Sequence, residues 1–193
     1  MHSGYRKPLY STKVFCVGFH KTGTTSLRAA LSILGYKVAG VMGIRDPNIA
    51  MNVMALASRA TEDHDAFQDN PWPIIFRQMD LRFPGSKFIL TSRDPKSWID
   101  SVVRHFGNEE TEMRKWIYGV GSPIGHEKIF LERYKTHQRD VINHFAGRPN
   151  DLLVMDLRAG DGWGKLCPFL GHAVPTRPFP HLNKSSDRAR GGK

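Results

Sequence analysis

The segment that most limits what this chain can become starts with Val14-Phe15-Cys16-Val17. This run is apolar without interruption, the mark of a strand buried on both faces. It leads through Gly18-Phe19-His20-Lys21-Thr22-Gly23-Thr24-Thr25-Ser26 into a helix predicted over residues 25–34. Leu27, Ala30, Leu31 and Leu34 recur there at helical spacing, and Gly35 is the stop. A strand that passes through such a loop straight into a helix can aim several backbone N–H groups at one anion. Lys21 adds a mobile positive charge, and Thr22, Thr24, Thr25 and Ser26 add hydroxyl donors. Gly23 lets the backbone come close to a phosphate.

Two more apolar runs, residues 88–91 and 152–155, read as fully buried strands, and residues 65–68 are a weaker candidate. After the second strong strand, Asp94 can cap a helix whose first residue is Pro95 and whose buried face is Ile99, Val102, Val103 and Phe106. After the third, residues 162–170 predict a short helix ended by Gly171. A longer helix is predicted over 127–145, with Phe130, Tyr134, His137, Val141 and Phe145 as its apolar stripe, and others over 47–59 and 73–83. Buried strands alternating with helices specify an α/β fold, a central parallel sheet flanked by helices. With the anion loop after the first strand, this becomes a three-layer, P-loop-type fold. Ligands in such sheets bind beyond the carboxyl ends of the strands, here residues 18–25, 92–101 and 156–164.

The loop departs from the Walker type. Gly18 and Gly23 have that spacing, but Thr24 stands where the Lys belongs, and the Lys comes earlier, as Lys21. A phosphoryl-transfer enzyme so altered would lose its usual β/γ-phosphate contact. Lys21-Thr22-Gly23-Thr24-Thr25 instead resembles the 5′-phosphosulfate loop of sulfotransferases that use 3′-phosphoadenosine 5′-phosphosulfate (PAPS). His20 stands where cytosolic members of that family have Pro, and Ser26 where they often have Trp. Lys87 to Ser101 resembles the family's 3′-phosphate motif, a strand ending in Arg-x-Pro with a Ser eight residues after the Arg. Arg93 and Ser101 hold those places. Arg grips phosphate with a planar fork, and Ser adds a hydroxyl about two helical turns on. The resemblance extends through Leu152–Met155 and Trp163 to Pro178-Phe179-Pro180-His181-Leu182-Asn183, or residues 13–183 in all. The late Arg-Lys-Gly segment of many relatives has no counterpart. Lys184 is a candidate substitute and equally a solvated tail residue.

The resemblance implies in-line transfer of a sulfuryl group from PAPS to a hydroxyl or amine, with release of PAP and no metal. Lys21 would stabilise the leaving oxygen. The acceptor's proton needs a base, a His or carboxylate that in this family follows the strand before the Arg-bearing one. Asp69, in His64-Asp65-Ala66-Phe67-Gln68-Asp69-Asn70-Pro71-Trp72, holds that place, with His20 as its rival. His137, on an apolar stripe, reads as a core residue. The acceptor would be a small molecule held by residues 42–52 and 106–125, with Met42, Met51, Met54, Met113, Trp116 and Tyr118 as candidate apolar walls. A P-loop kinase and a non-enzymatic polyanion-binding module are the competing readings.

Charge and cysteine content narrow the setting. The net charge is +10, but six of those charges lie at residues 1–13 and 182–193. No basic stretch with interleaved aromatics occurs between them, so nucleic acid is disfavoured as the main partner. The expected organisation is a flexible basic segment at 1–12, one domain at 13–183 and a flexible basic tail at 184–193. Cys16 and Cys167 sit in apolar runs without a CxxC or Cys/His cluster, which fits a reducing compartment. The first 13 residues lack an apolar stretch and no run approaches the roughly 20 residues of a membrane span. A cytoplasmic location without membrane attachment is therefore expected, and the oligomeric state is open.

Overall fold

Successive side chains of a strand point to opposite faces of its sheet, so a continuous apolar strand must be covered on both. The computed structural model describes residues 12–182. The expectations for the basic ends, 1–12 and 184–193 with Lys184, lie outside the described residues except for Thr12. Among the described residues five parallel strands form the sheet: β1 (Val14–Cys16), β2 (Val38–Ala39), β3 (Ala66–Phe67), β4 (Lys87–Thr91) and β5 (Leu152–Met155). Their order is β2-β3-β1-β4-β5. Helices α1 (Thr24–Ile33) and α7 (Trp163–Leu170) cover one face. The other carries α2 (Ile49–Asp63), α3 (Phe76–Arg82), α4 (Pro95–Phe106), α5 (Glu112–Tyr118) and α6 (Glu127–His144).

The alternation divides the core. Val14 and Cys16 pack with Leu27, Leu31, Leu166 and Cys167 on the first face. Phe15 and Val17 point the other way, into a larger cluster that reaches Trp98 and Phe130. Phe15 is its hub, with ring centroids 4.9 Å from Phe67 and 5.4 Å from Phe88. The three-layer α/β, P-loop-like arrangement is thus the one expected. Both cysteines are buried and free, and His137 is a core residue whose Nε2 lies 2.6 Å from the Val17 carbonyl. No helix among the described residues is long and apolar enough to cross a membrane.

Element boundaries agree closely for α1, α4, α6, α7 and the strong strands. Asp94 caps α4 by accepting the Ser97 N–H at 2.8 Å, with Pro95 as the first helical residue. Three expectations need correction. Residues 152–155 are not buried on both faces: β5 is the sheet edge, and Val154 is 40% exposed. An apolar run of four residues does not distinguish an edge strand from a central one. The two-residue β2 and the seven-residue α5 went unanticipated, being too short to establish a period. Met51, expected in an acceptor wall, is 75% exposed on the outer side of α2.

The seam between β1 and β4 is tight. A Cβ built on Gly18 would lie 2.0 Å from Thr91 Oγ1 and 2.6 Å from the Thr91 carbonyl oxygen. Gly18→Ala should therefore destabilise the protein by about 1–3 kcal/mol, as overpacking a core does. Gly164→Ala is the contrast: exposed in α7 with nothing within 4 Å of its added methyl, it should stabilise by about 0.5–1 kcal/mol. Urea unfolding of both variants checks the pair.

Candidate functional site

In the order β2-β3-β1-β4-β5 the chain reverses direction across the sheet at β1, which opens a crevice at the strands' carboxyl ends. A cavity of about 730 Å³ lies there, and each strand sends residues into it. After β1 come His20 through Ser26; after β2, Val41 and Ile44; after β3, Asp69 and Asn70; after β4, Arg93 and Ser101; after β5, Leu157, Arg158 and Gly160. Every residue expected at the site, namely Lys21, Thr22, Gly23, Thr24, Thr25, Ser26, Asp69, Arg93 and Ser101, lines this one cavity.

The loop's shape follows from two left-handed residues. Lys21 has φ 65° and Gly23 φ 103°, and Gly23 is the residue before α1. A side chain at Gly23 would also strike Leu157 Cδ1, at 2.7 Å. The hydroxyls have divided tasks. Thr22 Oγ1 donates to the Phe19 carbonyl at 2.5 Å and so accepts from Thr91 Oγ1 at 2.6 Å, which fastens the loop to β4. Ser26 Oγ accepts the Leu182 N–H at 2.9 Å and so holds the segment around Leu182 against α1. Thr24 stands near enough to the Asp69 carboxylate to help draw its pKa down.

Arg93 joins the two motifs. Its Nη1 donates to the Lys21 carbonyl at 3.0 Å and its Nε to Ser97 Oγ at 2.7 Å. Its own backbone is clamped by Tyr134, whose hydroxyl accepts the Arg93 N–H at 2.9 Å and donates to its carbonyl at 2.8 Å. Among the described residues Arg93 forms no ion pair with Asp94 or Asp100; Asp100 instead meets Lys96. Ser101 follows Ser97 by one turn, on the same face of α4. Arg158, which sequence reasoning did not single out, reaches the same place from the other direction, its Nη1 3.4 Å from Ser97 Oγ. It stands close enough to Arg93 to lower the latter's pKa, second only to burial. The signal was available: Arg158 lies three residues past the predicted strand 152–155, within the segment 156–164 that the carboxyl-end rule points to.

Among the described residues Asp69 is the one carboxylate lining the cavity. Its backbone is left-handed, φ 66°, and its Oδ1 accepts the Asn70 N–H at 2.9 Å. Burial pushes its carboxyl above the usual range, opposed by that hydrogen bond, by Lys21 and by Thr24. His20 is almost fully buried. Its Nε2 lies 3.2 Å from the Tyr118 hydroxyl, its Nδ1 3.5 Å from the Asn70 amide, and its carbonyl accepts the Trp98 indole N–H at 2.9 Å. Burial first, then Arg114, Lys21 and His105, lower its pKa to about 3.

The expected acceptor walls are only partly those observed. Met113 lines the cavity, but Met42, Met54 and Trp116 pack against the core beneath it. Tyr118 stacks on Phe130 with centroids 3.8 Å apart and meets the cavity only through His20. Their places are taken by Val41, Ile44 and Phe106, and by Arg104 and Arg114, whose arrival no periodicity in residues 104–114 announces.

His20 and His137 are both held neutral, with pKa values lowered to about 3 and about 4. In the unfolded chain both would protonate below about pH 6.5. The unfolded state then binds the extra protons, so stability is lost as pH falls from there toward the folded values. Each imidazole contributes up to about 1.4 kcal/mol per pH unit to that slope. Nuclear magnetic resonance of the ring protons should show both silent from pH 8 to 5, and titration of either near 6.5 would refute its burial.

Comparison with known proteins agrees with this geometry. A family model described as "Sulfotransferase domain" matches residues 13–126 and, in a second overlapping segment, 111–188. The chain is also similar to the Ava biosynthesis cluster protein M of Aspergillus versicolor. The two are 25% identical over 224 aligned residues, covering 92% of this chain and 83% of that protein.

Proposed function

Because this chain belongs to the sulfotransferase family, we propose that it moves a sulfuryl group from PAPS to a hydroxyl or amine of a small-molecule acceptor and releases PAP. The observation that carries this reading is the Arg93 to Lys21 carbonyl hydrogen bond, which fixes the two anion-binding motifs side by side in one cavity. The residues present fit such a donor. A left-handed loop at a helix N-terminus suits one phosphate group, and a second cluster of guanidinium and hydroxyl groups suits another. PAPS, when bound, supplies the sulfuryl group and the phosphate that leaves it.

The chain's own groups then have distinct tasks. The amides of residues 22–25 and Lys21 hold the phosphosulfate end, and Lys21 offsets the charge that develops on the leaving oxygen. Arg93, Ser101 and Arg158 receive the 3′-phosphate, with Arg158 in the role for which the sequence has no Arg-Lys-Gly segment. Asp69 takes the acceptor's proton. Its raised carboxyl pKa makes it a stronger base than an ordinary Asp. His20, pushed down to about 3 and tied to Tyr118, is a poor rival. It supports the wall beside Lys21.

Thermal denaturation with nucleotides tests the donor. PAP should raise the melting temperature more than ATP, which lacks a 3′-phosphate for Arg93. Arg93→Ala should weaken PAP binding by about 2–4 kcal/mol. Equal shifts from both nucleotides would sink the donor assignment. Asp69→Asn should leave PAP affinity nearly unchanged while turnover drops by about 10²–10⁴. In the parent, the acid limb of kcat should lie above the ordinary carboxylate range, and a limb near the ordinary Asp value would remove Asp69 from the mechanism.

A further inference from the structure

The cations lining the cavity fall into two groups. Arg93 is influenced by Arg158 and Arg104, which places these three at one end. His20 is influenced by Arg114, Lys21 and His105, and Tyr118 by Arg114 and Asp69. Arg114 therefore belongs to the other group, on the His20 side: its guanidinium lies over Phe106, whose ring centroid is 4.9 Å from that of His20. The donor's 3′-phosphate is matched by the Arg93 cluster, and the phosphate and sulfate of its 5′ end by Lys21 and the loop amides, which leaves no donor group assigned to Arg114.

Arg114 is built as a receptor. It is only 5% exposed, yet it lines the cavity. Its Nε donates to the Gly121 carbonyl at 2.7 Å and its Nη2 to the Glu109 carbonyl. Its guanidinium lies over the Phe106 ring, 4.5 Å from the centroid. These contacts fix the plane of the fork, and among the described residues Nη1 donates to no protein acceptor. No carboxylate of the described residues pairs with it closely. Glu109 and Glu110 attract it from farther away, and Glu110 is engaged by Lys115 at 3.4 Å. A guanidinium taken from water without a close counter-ion carries a desolvation cost that a bound anion offsets. A fixed fork suits a planar carboxylate. The surroundings are apolar: Val41, Ile44, Phe106 and Met113 line the cavity, with Val41 and Ile44 still 47% and 38% exposed. The Met113 N–H donates to the Ile44 carbonyl at 3.1 Å and so joins the two segments that bring these side chains in.

We propose that the acceptor is an apolar hydroxy acid whose carboxylate is received by Arg114 and whose hydroxyl is presented to Asp69. Its body packs against Val41, Ile44, Phe106 and Met113. This rests on the sulfotransferase reading. In the reaction the acceptor oxygen forms a bond to sulfur as the bond from sulfur to the phosphate oxygen breaks. The electron pair of the broken bond remains on PAP, the hydroxyl proton passes to Asp69, and the carboxylate is unchanged.

The experiment uses matched pairs: para-hydroxyphenylacetate, para-hydroxyphenylpropionate and a medium-chain hydroxyalkanoic acid, each beside its methyl ester, with PAPS as donor. In at least one pair the acid's kcat/KM should exceed the ester's by about 10–100-fold, the range for a charge-assisted hydrogen-bonded pair. Arg114→Gln should bring the acid down toward the ester while the melting-temperature rise with PAP persists. Should that variant fail to fold, Arg114→Lys keeps the charge without the fork and should raise KM for the acid more than for the ester. The parent's acid-to-ester ratio needs no variant at all. Esters turned over as well as acids, or a loss in Arg114→Gln shared equally by both, would overturn the proposal, and weakened PAP binding in that variant would reassign Arg114 to the donor. Sulfation of no probe with PAP binding intact rejects the acceptor class alone. Absence of PAP binding rejects the transfer reading beneath it.

Discussion

Gly18 and Thr91 meet with no room between them for a methyl group, and the geometry of the site depends on that close approach. It brings the carboxyl ends of β1 and β4 together, so that the hydroxyls of Thr22 and Thr91 can bond at 2.6 Å and the guanidinium of Arg93 can reach the Lys21 carbonyl at 3.0 Å. The loop is thereby fastened to β4 and its following segment at the adjacent residues Lys21 and Thr22. A side chain at residue 18 would push the strands apart, and the two motifs would no longer share a cavity. The seam is held from behind by Tyr134, which clamps the Arg93 backbone and stacks on Trp98 with centroids 4.3 Å apart.

Around this seam, burial decides the state of each titratable group. His20 and His137 lose their charge because water is excluded and cations stand near. Asp69 is pushed toward neutrality by the same exclusion and pulled back by Lys21, Thr24 and the Asn70 amide. That balance leaves Asp69 a carboxylate that binds a proton more readily than an ordinary Asp. Among the described residues, five Lys and Arg side chains and one carboxylate line the cavity, a balance that favours anionic ligands.

Long-period features were legible in the sequence, and short or three-dimensional ones were not. The β1 run, the Asp94-Pro95 helix start and the α6 stripe each repeat a physical pattern often enough to be read. The loop from Lys21 to Thr25 was legible too, its chemistry being local; Arg93 and Ser101 both line the cavity, but the Arg93 Nε bonds Ser97, a partner the eight-residue spacing did not point to. β2 and α5 span less than the window in which periodicity is measurable. The edge position of β5 depends on strand order, which an apolar run does not carry. Asp69 could be placed after β3 by resemblance, but its link to Thr24 arises only when β3 lies beside β1. Arg158 lay within a segment that the carboxyl-end rule already pointed to. Arg114 belongs to a helix too short to read, and its role depends on the carbonyls of Gly121 and Glu109 that fix it.

The central claim is that this cavity transfers sulfur and leaves phosphorus in place. The most direct measurement supplies PAPS radiolabelled at sulfur in one sample and at the 5′-phosphorus in another, with a mixture of hydroxylated small molecules, and asks which label leaves the nucleotide. The account predicts that the sulfur label appears in the acceptor, that the phosphorus label stays in PAP, and that Lys21→Ala slows the sulfur transfer more than it weakens donor binding. Phosphorus label in the acceptor would contradict it.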